Sequence, residues 1–280
     1  SDCVDGLSDL DNLVLRAVGN TQGRYLEVVL RMIRRVRIVR ELGFEREMRT
    51  VHAIEGNHVV LAKIMVKRVM IEFVKMLFGT HRNQALKVLV ATECYQYCPG
   101  LRPYGEALLR MADLPAFPLI KEEAAWVLLL DQLHLNAHEV RPFLKAWKCS
   151  NACIRQVQAG YQFLLMRKAG DWTDSTLYQA GMTTIELVES LLPFIGQDGC
   201  LNDVEARYQA LPIHQLQDLA VNGRDLLRAF DRPSGPWLKD VLQQLEASVV
   251  KRDIANQQEA LLLFAQAYLE QAEKSQPKAK

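Results

Sequence analysis

A chain of 280 residues that is 49% apolar and 24% charged has the make-up of a folded protein with a sizeable core, and is no disordered tail. Lys and Arg number 34 against 33 Asp and Glu, a formal net charge of +1. That balance excludes a polycation that binds by overall charge and leaves room for a local basic face. The longest apolar run, Ala124 to Leu130, is far too short to span a bilayer. The opening Ser1-Asp2-Cys3-Val4-Asp5 lacks the basic-then-apolar order of a signal peptide, so a cytoplasmic location without a membrane partner is expected.

Helical periodicity runs along almost the whole chain, and alternating β-branched stretches are scarce. The expected fold class is therefore all-α, an extended multi-helix array. An acidic, turn-rich opening (Asp2, Asp5, Asp9, Asp11) leads to predicted helices at Gln22–Leu42, Glu45–Glu55, Leu61–Phe78, Asn83–Tyr95, Tyr104–Ala112 and Lys121–Leu133. Pro99-Gly100, Pro103, Pro115 and Pro118 punctuate them. Further helices are predicted at Glu139–Trp147, Asn151–Lys168, Thr173–Ala180 and Thr183–Leu192, with a hinge over Pro193–Cys200. Beyond the hinge, Asn222-Gly223 reads as a turn. Ser234-Gly235-Pro236 reads as a cap and first-turn proline ahead of a helix over Trp237–Val250. Asn256-x-x-Glu259 is a capping-box-like start for a last helix, Gln257–Glu273.

The six cysteines include two pairs spaced four apart, Cys94/Cys98 and Cys149/Cys153. Structural zinc sites favour a two-residue gap in a turn, whereas these pairs fall in helix-like stretches, so packing is the expected role and no metal site is expected. No HExxH, no adjacent His-Asp pair and no Gly-Lys-Ser/Thr phosphate loop occurs. A metal or thiol enzyme is the weakest of the available readings.

The first functional signal is the helix predicted over Gln22–Leu42. On a wheel advancing about 100° per residue, Arg31, Arg34, Arg35 and Arg37 share one half with Glu27. Leu26, Val28, Val29, Met32, Ile33, Val36 and Val39 take the other, with Leu30, Ile38 and Arg40 as exceptions. An ordinary solvated face interleaves signs, and here Glu27 is the single acid between Leu26 and Arg40. Guanidinium forks suit phosphates and base edges. The physics leaves three occupants open: a polyanion, an acidic protein and plain solvent.

The order of motifs resembles the bacterial class II CCA-adding enzymes, the tRNA nucleotidyltransferases. Asp2-Cys3-Val4-Asp5-Gly6-Leu7-Ser8-Asp9-Leu10 and Leu15-Arg16-Ala17-Val18-Gly19 are similar to the stretch joining that family's catalytic head to its neck. Arg24-Tyr25-Leu26-Glu27-Val28-Val29-Leu30-Arg31-Met32-Ile33-Arg34-Arg35-Val36-Arg37-Ile38, then Glu41-Leu42-Gly43-Phe44, resembles its nucleotide-selecting helix. Tyr97-Cys98-Pro99-Gly100-Leu101 and Arg141-Pro142-Phe143-Leu144-Lys145-Ala146-Trp147-Lys148 follow in order. Leu211-Pro212-Ile213, Asp218 to Leu226 and Pro233-Ser234-Gly235-Pro236-Trp237 complete the set.

The resemblance implies a remnant of the head-to-neck linker over 1–18, a neck over 19–80, a body over 81–195 and a tail over 196–280. It implies tRNA as partner, held by its acceptor arm and elbow, and no DNA. CTP and ATP are the implied substrates, chosen by a protein template in which Arg31 matches the templating arginine. Arg34 and Arg37 match arginines that help hold the nucleotide, with Glu27 beside them. Arg35, Lys145, Lys148, Asn222, Arg224 and Trp237 are the expected RNA contacts. The family's head domain, acting in cis or in trans, would carry the chemistry and its Mg2+; no catalytic residue is assigned within this chain.

Two positions depart from the pattern. Val28 stands where the family has its templating Asp, which removes the acceptor half of the base-reading pair. Lys67-Arg68 replaces a Glu-Arg pair. Such changes also fit an alternative, a stand-alone non-catalytic helical module that binds RNA or protein.

Overall fold

The computed structural model describes residues 62–78, 82–116, 118–119 and 121–275. The predicted helices over Gln22–Leu42 and Glu45–Glu55 lie outside the described residues. Eleven α-helices and no strand occur among the described residues, so the all-α expectation holds. They are α1 Ala62–Phe78, α2 Arg82–Ala91, α3 Gly105–Ala112, α4 Glu122–Leu133, α5 Ala137–Ala146 and α6 Asn151–Ala169, then α7 Asp174–Leu191, α8 Leu201–Gln209, α9 Gly223–Phe230, α10 Pro236–Val250 and α11 Gln258–Ser275. The chain divides into two compact units. Within the described residues, the first holds those up to Leu164 together with Ser190–Gly199; the second holds Leu165–Glu189 and the chain from Cys200 onward.

The first unit is organised around α4. Its run Ala124–Leu130 is buried without interruption, because a helix that is apolar on every face is stable only when surrounded. Trp126 and Trp147 meet edge to face at 5.2 Å, and Phe73 lies 4.7 Å from Trp147, ring centre to ring centre. Such tilted aromatic packing adds about 1 kcal/mol per pair beyond the area buried. Arg82 is 2% exposed, yet its Nη2 donates to the Pro115 carbonyl at 2.9 Å and its guanidinium lies 5.2 Å from the centre of the Phe194 ring. The neighbouring Asn83 Nδ2 donates to the Leu114 carbonyl at 2.6 Å. Together they fasten the connection after α3. Tyr161 hydroxyl donates to the Leu135 carbonyl at 2.9 Å, and burial pushes its pKa up to about 12.

The second unit packs Val221, Leu226, Val241, Leu245, Val249, Leu261, Ala265 and Leu269 into one core. Helix α7 breaks at Gly181, whose φ of 69° and ψ of 158° are open essentially to glycine alone. The predicted gap between Thr173–Ala180 and Thr183–Leu192 falls at this position. Glu189, 3% exposed, accepts from Arg167 Nε at 3.1 Å, Trp172 Nε1 at 2.8 Å and the Cys200 backbone N–H at 3.0 Å. Arg252 reaches Asp174 at 2.8 Å and the Ala210 carbonyl at 2.8 Å, while Tyr178 donates to Glu246.

Three capping expectations are corrected. Asn222-Gly223 is a helix start, with Asn222 Oδ1 accepting from the N–H of Arg224 at 2.9 Å and of Asp225 at 3.3 Å. Gly235, rather than Ser234, occupies the cap position of α10, with Pro236 in its first turn as expected. The Asn256 side chain bonds the Ala220 N–H and the Asp218 carbonyl, both at 2.8 Å, and so ties two segments together. Both cysteines of the first pair are buried, Cys94 at 4% and Cys98 at 3% exposed, and burial pushes the Cys98 thiol up to about 12.

Candidate nucleic-acid contact surfaces

Each unit exposes basic side chains along one helix. In the first unit, α5 buries Val140, Phe143 and Leu144 and exposes Arg141 and Lys145 one turn apart. The helix is set from its start: the Asn136 N–H donates to Glu139 Oε2 at 2.9 Å, which holds the Glu139 carboxyl below the usual range. At its end Lys148, exposed, takes a left-handed φ of 60° and donates its backbone N–H to the Lys145 carbonyl at 2.9 Å. Gly100 (φ +70°) sits so close to the Phe143 ring that a Cβ would lie 3.0 Å from it. The Pro99-Gly100-Leu101 turn is thereby pressed onto the helix that displays the cations. Among the described residues, none of Arg141, Lys145 and Lys148 is paired with a carboxylate.

In the second unit, Leu226 of α9 faces the core and Arg224 and Arg228 are exposed, about 40° apart around the helix. Trp237, in the first turn of α10, is half-buried against the same core. Its Nε1 donates to the Pro233 carbonyl at 2.9 Å, the Arg232 guanidinium lies 5.7 Å from the ring centre, and Phe230 meets the ring edge to face at 6.4 Å. The indole is therefore held as a fixed plate beside the Arg232 guanidinium. Guanidinium and ammonium groups on a rigid helical face attract a phosphate backbone, and a fixed aromatic plate suits a base.

The structure thus separates the expected contacts. Lys145 and Lys148 belong to the first unit; Asn222, Arg224 and Trp237 belong to the second. The Asn222 carbonyl oxygen is engaged in capping, which leaves its amide nitrogen for any other partner. Arg31, Arg34, Arg35, Arg37, Glu27 and Val28 lie outside the described residues. Arg141 and Arg228 stand outside the expected contacts; spacing of one turn from Lys145 and Arg224 is the signal that points to them. Among the described residues no group of three or more His, Cys, Asp or Glu comes together as a metal site. No helix among them is long and apolar enough to cross a membrane.

Two family models match the chain. One, described as "tRNA nucleotidyltransferase domain 2 putative", covers residues 117–265, and the other, "Probable RNA and SrmB- binding site of polymerase A", covers 43–104. The class is thus that of the tRNA nucleotidyltransferases. The CCA-adding enzyme of Enterococcus faecalis is 42% identical over 274 residues, which is 98% of this chain and 68% of the relative. That of Lactiplantibacillus plantarum is 35% identical over 266 residues, 94% of this chain and 65% of the relative. A crystal structure of the Bacillus stearothermophilus CCA-adding enzyme in complex with CTP aligns with a TM-score of 0.82 at 32% identity, covering 99% of this chain and 70% of that one. The chain belongs to the CCA-adding enzyme family. It spans about two thirds of the length of these relatives, from 65% to 70%.

Proposed function

We propose that this chain grips tRNA and selects the incoming nucleotide in the addition of CCA to tRNA 3′ ends, with CTP and ATP as substrates. In this reading a head domain, in cis or in trans, supplies the phosphoryl transfer and its Mg2+. Residues 19–80 act as neck, 81–195 as body and 196–280 as tail, the last two gripping the acceptor arm and elbow. Similarity to a CCA-adding enzyme along 98% of the chain is the observation that carries the reading. The exposed cations of α5 and α9 support it, because tRNA is a polyanion whose grip needs local rather than overall positive charge.

Arg31 is the proposed base-reading donor, with Arg34 and Arg37 holding the nucleotide beside Glu27. Val28 lacks the carboxylate that would complete a bidentate pair. A good bidentate base contact is worth about 1–3 kcal/mol of discrimination, so choice between CTP and ATP should be weaker here than with Asp.

The test joins this chain to the head domain of a related CCA-adding enzyme and follows incorporation of CMP and AMP into tRNA lacking its 3′ end. Arg31→Ala is expected to abolish selective addition, and Val28→Asp to sharpen the choice between CTP and ATP. Addition unchanged by Arg31→Ala would remove the templating role. A gel shift with tRNA at two salt concentrations tests the grip separately: undetectable or salt-insensitive binding would sink it.

A further inference from the structure

The chain passes between the two units three times, after Leu164, after Glu189 and after Gly199. Ser190–Gly199 is thus an arm of the first unit set within the sequence of the second, and it contains most of the stretch predicted as a hinge. Its tip is fixed. Leu192–Ile195 forms a short 3-10 turn, the Gln197 N–H closes on the Leu192 carbonyl at 3.0 Å, and Gly196 takes a left-handed φ of 74°. Leu192 and Phe194 are buried, and the Phe194 ring lies under the Arg82 guanidinium at 5.2 Å.

The base of the arm converges on one side chain. Glu189, the last residue before the arm, accepts on Oε2 the N–H of Cys200, the first residue beyond it, at 3.0 Å. Its Oε1 accepts from Arg167 Nε at 3.1 Å and from Trp172 Nε1 at 2.8 Å. Arg167 follows closely on the passage after Leu164. A single buried carboxylate therefore bonds to the chain beside all three passages, with every partner in the second unit. Opening such a cluster leaves a charge and several donors poorly solvated, so the closed form is strongly favoured.

We infer that Glu189 is a positioning residue for RNA binding, a clasp that closes the base of the 190–199 arm and keeps the passages between the units stiff. The inference rests on the proposed tRNA grip, in which both units take part. Glu189 is buried and touches no RNA itself; it acts through the exposed cations of α5 and α9. Once one cationic helix has engaged an RNA, the other binds from an effective concentration set by the connection between them, and a slack connection lowers it. Arg82 and Phe194 hold the far end of the arm, so loosening either end should act alike.

Glu189→Gln in the full chain leaves one acceptor oxygen where three donors need two, and near-ultraviolet circular dichroism verifies that the variant is folded. Chymotrypsin cuts after phenylalanine, and Phe194 is buried while the arm is closed. Cleavage after Phe194 should become about tenfold faster, because proteolysis reads the population of the open form. Affinity for whole tRNA should fall about tenfold, a part of the hundredfold or more that linking two contacts can add. Affinity for a short acceptor-stem hairpin, which lacks the elbow, should stay as it was. Phe194→Leu, at the other end of the arm, should reproduce the loss for tRNA and spare the hairpin, which a role of Glu189 confined to the second unit would not explain. Three results overturn the inference: cleavage no faster in Glu189→Gln, faster cleavage with tRNA affinity intact, or a tRNA loss absent from Phe194→Leu. A wild-type chain that binds tRNA no more tightly than the hairpin would instead remove the two-unit grip beneath it, and the cleavage rates would still report on the clasp.

Discussion

Asn222 shows how a single side chain can be read for the wrong reason. Beside a glycine it resembles a turn residue, and within a family motif it resembles an RNA contact. In the fold its oxygen closes two N–H groups at the start of α9, while Asp225 returns a bond to the Asn222 N–H at 2.9 Å. Asn222→Ala is expected to lower stability by about 1 kcal/mol in urea denaturation, and Asn222→Ser to recover most of it. Serine restores the cap but not the amide nitrogen. Recovery of tRNA affinity along with stability would therefore assign Asn222 to structure, and failure to recover would assign it to contact. Glu189 has more at stake. It is the shared acceptor for Arg167, Trp172 and the backbone of Cys200, so its removal leaves three donors in poorly solvated surroundings. Glu189→Ala should destabilise the second unit by about 3 kcal/mol, read as a lower urea midpoint for Trp172 emission.

Elements are legible from sequence where burial imposes a pattern over several turns. The predicted Lys121–Leu133 and Trp237–Val250 each lie within a residue of α4 and α10. Helices α8 and α9 escape a reading by periodicity because short segments with one or two buried positions, such as Val204 and Leu226, show no period. The predicted Asn83–Tyr95 runs too far. Helix α2 stops at Ala91, where Thr92 turns its hydroxyl back to the Val88 carbonyl at 2.8 Å and Glu93 adopts a φ of 54°. Exposed cations one turn apart can be read as a basic face; partial burial of Trp237 cannot, because it depends on Phe230 and Arg232 folding around it. The break at Gly181 is a backbone requirement. Nothing lies within 4 Å of a Cβ built there, so Gly181→Ala should cost about 1–3 kcal/mol through dihedral strain alone, measurable as a lower Tm. Helix-start carboxylates add a dependence on acid. Backbone N–H groups hold Glu139 and Asp218 below the usual range, and Arg207 does the same for Asp171. Depressed carboxylates contribute stability that is present above their unfolded values, near pH 4, and is lost as pH falls through the folded ones. Tm should therefore fall steadily below about pH 4, and Asp218→Asn should flatten that fall.

At the scale of the whole molecule, a net charge of +1 places the weight of any polyanion grip on local faces. Removing one cation that neutralises a phosphate reduces the slope of log affinity against log salt by about 0.7–0.9. Arg224→Ala with Arg228→Ala should flatten the slope for tRNA by nearly twice that, and Lys145→Ala by about half as much as the double change. A slope unmoved by either would place the grip elsewhere on the chain. The aromatic residues offer a separate view of the same molecule. The chain has four tryptophans, and they divide evenly: Trp126 and Trp147 in the first unit, Trp172 and Trp237 in the second. The first two are shielded from water and in ring contact, which favours blue-shifted emission and an excitonic signature in circular dichroism; the half-buried Trp237 should emit further to the red. Each unit thus carries its own optical label. Replacing either pair by phenylalanine would let the melting of one unit be watched without the other, and would show whether the two let go together.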